Sequence, residues 1–166
     1  MRRRSALAAG CGGLLLVLAG CASPARNGQG ASSVASSWSG RLSLRVDSDP
    51  VQSFAALFEL RGTAQAGELT LTSPLGSILA KLSWSPGEAL LRNGRDTRRY
   101  ASVDALIQAA TGAAIPVGAL FAWLDGRDEQ VPGWRPDLSQ VAAGRLQALR
   151  EEPSPRADLR IVFQRA

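Results

Sequence analysis

The sequence predicts a mainly β protein of the α+β class, in which one antiparallel sheet curls and two short helices accompany it. Three observations lead to this class. Apolar and polar residues alternate with period two over several stretches, short turn motifs separate those stretches, and helical spacing occurs in two places. The chain has 166 residues, 45% of them apolar and 20% charged, which is enough for one domain with a core.

Six strands are expected one after another in the first part of the chain. Turn signals such as Asp49-Pro50, Pro86-Gly87 and Asn93-Gly94 separate them. The expected strands cover residues 38–46, 52–60, 68–72, 78–84, 88–92 and 96–100. Consecutive strands joined by short turns predict an antiparallel meander that curls.

Two helices and two further strands are expected after the meander. Ser102 can cap a helix over residues 102–111, and Pro116 can occupy the first turn of a second helix that ends at Gly126. We expect a Pro/Gly-rich loop around Trp134. The elements after the first helix are the second helix, the loop at 128–137, and strands at 144–150 and 157–164.

A curled sheet this rich in Leu and Phe needs cover on its concave face, and two short helices cover only part of it. An incompletely filled barrel with an apolar lining forms a ligand cavity. A small, fully packed core is the alternative that composition leaves open. The residues expected on the cavity wall are Leu42, Leu44, Phe54, Phe58, Leu69 and Leu71.

The N-terminus has the layout of a secretory signal peptide. Arg2, Arg3 and Arg4 precede an uncharged apolar run that ends in Leu18-Ala19-Gly20-Cys21. This tetrapeptide resembles the bacterial lipobox, in which the signal is cut before a cysteine that is then lipidated. An uncleaved transmembrane anchor is the alternative, but four glycines make the run a poor helix.

The expected organisation is a lipoprotein signal peptide at 1–20, the lipidated Cys21 with a flexible tether at 21–37, and one domain at 38–166. Removing the signal leaves 16 basic against 14 acidic residues, so most of the net charge of +5 belongs to the signal. Ala22 follows the cysteine where Asp would favour the inner membrane. By resemblance to the bacterial sorting rule, this favours the outer membrane.

Several function classes are disfavoured. The chain has no histidine, which removes Ser-His-Asp catalysis and His-ligated metals, and both cysteines lie in the first 21 residues. We expect no enzyme activity, no catalytic residues, no cofactor, no metal and no nucleic-acid partner. The arginines around residues 92–99 are interpreted as a solvated hairpin, with contact to anionic lipid as the next interpretation.

One turn carries an unusual residue. Ser73, Pro74 and Gly76 match the first, second and fourth positions of a type I turn. Leu75 then falls at the third position, at the tip, where polar residues are usual. A lone exposed leucine is common, so the pattern leaves open whether Leu75 has a role.

The chain resembles the outer-membrane lipoprotein receptor LolB family. The resemblance depends on the lipobox together with these stretches: 38–42, 69–77, Tyr100, 112–116 leading to Leu120, and 123–126. It implies an unclosed antiparallel β-barrel with a short helical lid over an apolar cavity. It also implies that Leu75, flanked by Pro74 and Gly76, inserts into the membrane.

The implied function is that of a receptor anchored in the outer membrane and facing the periplasm. It would accept lipoproteins from a LolA-like periplasmic carrier, bind their acyl chains and insert them into outer-membrane lipid. The expected protein is a monomer. The alternative is a lipid-anchored structural or assembly protein of the envelope that carries no acyl cargo.

Overall fold

A single open antiparallel sheet dominates the computed structural model, which describes residues 36–111 and 114–166. Within these residues nine strands are hydrogen-bonded in the order β6-β5-β4-β3-β2-β1-β9-β8-β7. The strands are β1 Ser36–Val46, β2 Gln52–Gly62, β3 Gly67–Thr72, β4 Ile78–Ser85, β5 Glu88–Asn93, β6 Asp96–Tyr100, β7 Trp134–Asp137, β8 Arg145–Arg150 and β9 Ala157–Arg165.

The first strand and the last strand lie side by side at the middle of the sheet. Trp38 of β1 is opposite Leu60 of β2 on one side and Arg165 of β9 on the other. The meander β1–β6 therefore extends in one direction and the C-terminal strands β9, β8 and β7 in the other. Strands β6 and β7 are the two edges, so the barrel is unclosed.

Period-two alternation determines which face of the sheet becomes the core. Trp38, Leu44 and Val46 are buried, whereas Arg41 and Arg45 are exposed on the opposite face. The same phase continues across the neighbouring strands, because directly paired residues in a sheet point to the same side. The concave face is consequently apolar along its central strands.

Two helices follow the meander, α1 at Val103–Thr111 and α2 at Val117–Leu124. The hydroxyl oxygen of Ser102 accepts a hydrogen bond from the backbone N–H of Ala105 at 3.1 Å, as expected of a helix cap. Helix α2 is apolar along its whole length, and six of its eight residues are buried. It is therefore a core helix rather than an amphipathic surface helix.

The predicted fold class is confirmed, and the six strands of the meander end within two residues of their expected limits. Strand β1 begins at Ser36, two residues before the expected start at Trp38. The expected signal peptide and Cys21 lie outside the described residues. In the part of the chain that the structure describes, no helix combines the length and apolar character needed to cross a bilayer.

The loop prediction for residues 128–137 is wrong at its end, where β7 forms. Trp134 is opposite Arg150 of β8 in the register, and the guanidinium carbon lies 5.8 Å from the centre of the indole ring. The indole Nε1–H donates to the carbonyl oxygen of Ala114 at 3.0 Å. Burial of Trp134 against these partners therefore accompanies strand pairing in a stretch whose composition favours a loop.

Candidate functional site

A cavity of about 790 Å³ lies between the concave face of the sheet and the two helices. Its wall is mostly aliphatic, and strands from both halves of the sheet contribute. The apolar residues of the wall are Leu42, Leu44, Val46, Phe54, Leu69, Leu71, Ile78, Leu79, Ala80, Leu82, Leu91, Ile107, Ala109, Ala110, Ile115, Leu120, Leu159 and Ile161. Such a surface suits an aliphatic ligand.

Aromatic packing explains why the cavity occupies only one end of the concave face. At the other end the ring of Phe121 from α2 packs edge-on against Trp38 and Trp84, with ring centres 5.3 and 6.3 Å apart. These three large rings fill the space there. The cavity occupies the end where the β1–β2, β3–β4 and β5–β6 turns lie.

Five of the six residues expected on the cavity wall are found there: Leu42, Leu44, Phe54, Leu69 and Leu71. The sixth, Phe58, faces the same side of the sheet but lies in the packed core and is 4% exposed. Phe54 is four residues closer to the β1–β2 turn and is 39% exposed. The difference follows from position along the strand, because α2 fills the concave face beyond the cavity.

The mouth of the cavity carries polar residues in addition to the six residues expected on its wall. Gln52, Ser53, Asn93, Asp96 and Arg98 all contribute to the lining. Strand alternation predicts this position for Asn93, since Asn93 continues the inward phase of Leu91. Asp96 and Arg98 likewise continue the phase of Tyr100. The cavity thus has an apolar wall and a polar rim, which suits an amphiphile held by its chains.

Helix α2 is fixed to the rest of the domain by several polar contacts. The indole Nε1–H of Trp123 donates to the carbonyl oxygen of Glu129 at 2.9 Å. The carboxylate of Asp125, which follows the helix, forms an ion pair with the guanidinium of Arg165 at the end of β9. These contacts hold α2 in place beside the cavity, which Leu120 of this helix lines.

Helix α1 is held more lightly. It buries Leu106 and Ile107, while Ala109 and Ala110 near its C-terminal end line the cavity and remain exposed. A small number of buried apolar residues is one feature of a segment that opens at low free-energy cost. Of the two helices, α1 therefore buries fewer of its residues.

The β3–β4 hairpin projects from the sheet beside the mouth. The N–H of Gly76 donates to the carbonyl oxygen of Ser73 at 2.9 Å, and the N–H of Ser73 donates to the carbonyl oxygen of Ser77 at 2.8 Å. Gly76 has φ +88°, a conformation that favours glycine. Leu75 stands at the tip of this tight turn and is 95% exposed.

The described residues contain no group of three or more Asp, Glu, Cys or His side chains that could hold a metal ion. The paired carboxylates of Asp47 and Asp49 flank the β1–β2 turn. The guanidinium of Arg45 pairs with the carboxylate of Asp47 at 2.9 Å. Asp47 therefore belongs to an exposed surface ion pair.

The family model described as outer membrane lipoprotein LolB matches residues 36–165, which is nearly all of the described chain. The chain belongs to the LolB family. The expected family is thereby confirmed. The stretch that LolB matches includes the cavity wall, both helices and the hairpin that carries Leu75.

Individual LolB proteins show the same similarity. The outer-membrane lipoprotein LolB of Bordetella pertussis is 37% identical, over 90% of this chain and 88% of that protein. That of Cupriavidus pinatubonensis is 33% identical, over 92% of this chain and 75% of its own length. The LolB protein of Bordetella petrii is 37% identical over 69% of this chain, a match that spans 59% of that relative.

Proposed function

We propose that this protein is a receptor anchored in the outer membrane that accepts lipoproteins from a LolA-like carrier and inserts them into the outer membrane. The observation that carries the proposal is the apolar cavity of about 790 Å³, whose mouth lies at the same end of the sheet as the exposed Leu75. Membership of the LolB family supports the outer-membrane location. Cys21 is the proposed lipidation site.

The size of the cavity limits what it holds in this conformation. If a methylene group occupies the ~30 Å³ that a water molecule takes in the liquid, a 16-carbon chain needs roughly 480 Å³. A cavity of about 790 Å³ is then large enough for one such chain and too small for three. We infer that cargo with three acyl chains requires α1 to move outward.

The free energy of burial explains why the cargo must pass directly between cavities. Each buried methylene contributes about 0.8 kcal/mol, so exposing one 16-carbon chain to water costs on the order of 12 kcal/mol. Transfer from mouth to mouth avoids that exposure. It needs no covalent step and no nucleotide, so we expect no enzymatic activity.

The cavity favours the receptor over a lipid-anchored structural or assembly protein, because a protein without acyl cargo needs no apolar space of this size. A reconstitution tests the proposal. A carrier loaded with a radiolabelled lipoprotein is mixed with the purified full chain, and the label that moves to the receptor is measured after separation.

Two matched variants test whether the cavity is the site of uptake. Ala80→Trp places a large side chain on the wall, whereas Ala55→Trp makes the same change on the exposed convex face. We expect Ala80→Trp to lose most of the uptake and Ala55→Trp to retain it. Circular dichroism should show that both variants are folded. Equal uptake by the two variants would place the cargo elsewhere.

A further inference from the structure

The β5–β6 hairpin is the most basic segment of the described chain. Residues 92–99 include four arginines, Arg92, Arg95, Arg98 and Arg99, and one carboxylate, Asp96. All five of these side chains are exposed. A short hairpin therefore presents a net charge of three positive units to solvent.

Most of this charge has no partner among the described residues. The guanidinium of Arg99 pairs with Glu88 at 2.8 Å. In the described part of the chain, Arg92, Arg95 and Arg98 have no carboxylate oxygen within 4.0 Å. Three guanidinium groups are consequently free to bind an external anion.

The register places this hairpin beside the one that carries Leu75. Lys81 of β4 is opposite Arg92 of β5, so the turn after Asn93 lies alongside the start of β4. Strand β4 starts at Ile78, directly after the turn that contains Leu75. Ile78, Asn93 and Arg98 all line the same mouth.

We propose that Arg92, Arg95 and Arg98 bind the phosphate groups of anionic phospholipid headgroups, and so hold the cavity mouth against the bilayer while Leu75 enters it. A guanidinium group donates two parallel hydrogen bonds to phosphate oxygens. Basic residues close to an anionic membrane surface strengthen its binding, and each contributes about a fivefold change in the equilibrium. Three arginines together amount to on the order of 100-fold.

The apolar side chains at this end favour a membrane over an acidic protein as the partner. Leu75 is 95% exposed, Ile78 62% and Val51, in the β1–β2 turn, 53%. Apolar side chains flanked by basic ones are typical of a surface that lies at the interface of a bilayer. The proposal rests on the proposed function only in that this mouth faces the membrane.

The test uses the full lipidated chain, without cargo, reconstituted in vesicles. An environment-sensitive fluorophore on Ser77→Cys reports whether the hairpin tip contacts lipid. The vesicles contain phosphatidylcholine alone or with one third phosphatidylglycerol. We expect a blue-shifted, lipid-quenchable signal that is several-fold stronger with phosphatidylglycerol and that weakens in 1 M salt, where charges are screened over about 3 Å.

Two triple variants distinguish the effect of the hairpin arginines from the effect of a lower net charge. Replacing Arg92, Arg95 and Arg98 with Gln is expected to reduce the signal in anionic vesicles to its level in neutral ones. The control variant replaces three exposed arginines away from the mouth with Gln: Arg41, Arg61 and Arg145. Its lipid signal should match that of the parent protein.

An unchanged lipid signal in the hairpin variant would overturn the proposal. If that variant also loses uptake from the carrier, the arginines serve cargo transfer rather than contact with lipid. A failure of the proposed function is distinguishable, because the lipid signal is measured without cargo and would persist in a protein that accepts none.

Discussion

The carboxylate of Asp104 accepts a hydrogen bond from the backbone N–H of Val117 at 3.1 Å. Asp104 lies in the first turn of α1, and Val117 is the first residue of α2. The first N–H groups of a helix have no partner within it, so α1 caps α2 from outside. This contact links the lightly held part of the lid to the firmly held part.

Asp104→Ala should therefore loosen the lid. We expect the free energy of unfolding to fall by about 1 kcal/mol, the usual effect of losing a helix cap. We also expect the Val117 amide to exchange its hydrogen faster and a fluorescent fatty acid to enter the cavity faster. Denaturant unfolding, hydrogen exchange and stopped-flow fluorescence measure the three effects. Asp128→Ala, an exposed loop change, is the control and should alter none of them.

Leu75→Glu separates uptake of cargo from its release. Because Leu75 is almost fully exposed, the stability of the domain should change by no more than about 0.5 kcal/mol. A leucine that enters lipid gains roughly 1.5–3 kcal/mol on burial, and Glu instead resists leaving water. We expect normal uptake from the carrier and poor recovery of cargo in liposomes.

A matched control for this prediction is Leu149→Glu. Leu149 is also an exposed leucine, but it lies on β8 away from the hairpin. The control should deliver cargo as the parent does. Normal delivery by Leu75→Glu would show that an exposed leucine at the tip has no role in insertion.

Phe58→Asp should mainly reduce the stability of the domain, whereas Phe54→Asp should mainly reduce fatty-acid binding. Phe58 is buried in the core, where an unpaired carboxylate and the lost packing together cost at least 3–5 kcal/mol. Phe54 lines the cavity and is partly exposed, so we expect a stability loss of about 1 kcal/mol and a large loss of fatty-acid binding. Thermal unfolding and a fluorescent fatty-acid titration test both, and a stable Phe58→Asp protein would contradict the assignment of Phe58 to the core.

Cys21→Ala should abolish lipidation and leave the domain folded, because the described domain contains no cysteine. Mass spectrometry of the parent protein from membranes should show an N-terminal Cys21 with added acyl mass. An unmodified thiol at that position would refute the lipoprotein assignment. Circular dichroism of the variant checks that the fold does not depend on the anchor.

The sequence by itself determined the local elements and the faces of the strands. The limits of β6 were predicted at 96–100 and are found there, because Asn93-Gly94 specifies the hairpin before it. The alternation of apolar and polar residues in β1 placed Leu42 and Leu44 on the inner face, because successive side chains of a strand point to opposite faces. The exposure of Leu75 followed from the turn chemistry of Ser73, Pro74 and Gly76.

Only the tertiary structure decided what depends on residues far apart in the chain. The pairing of Trp38 with Arg165 joins the two ends of the domain, and no local pattern encodes which distant strands meet. Strand β7 forms where Trp134 is buried against Arg150 and donates a hydrogen bond to the carbonyl oxygen of Ala114, although the composition of this stretch favours a loop. Phe54 and Phe58 share one strand face, and what separates wall from core is the packing of Phe121 against Trp38 and Trp84.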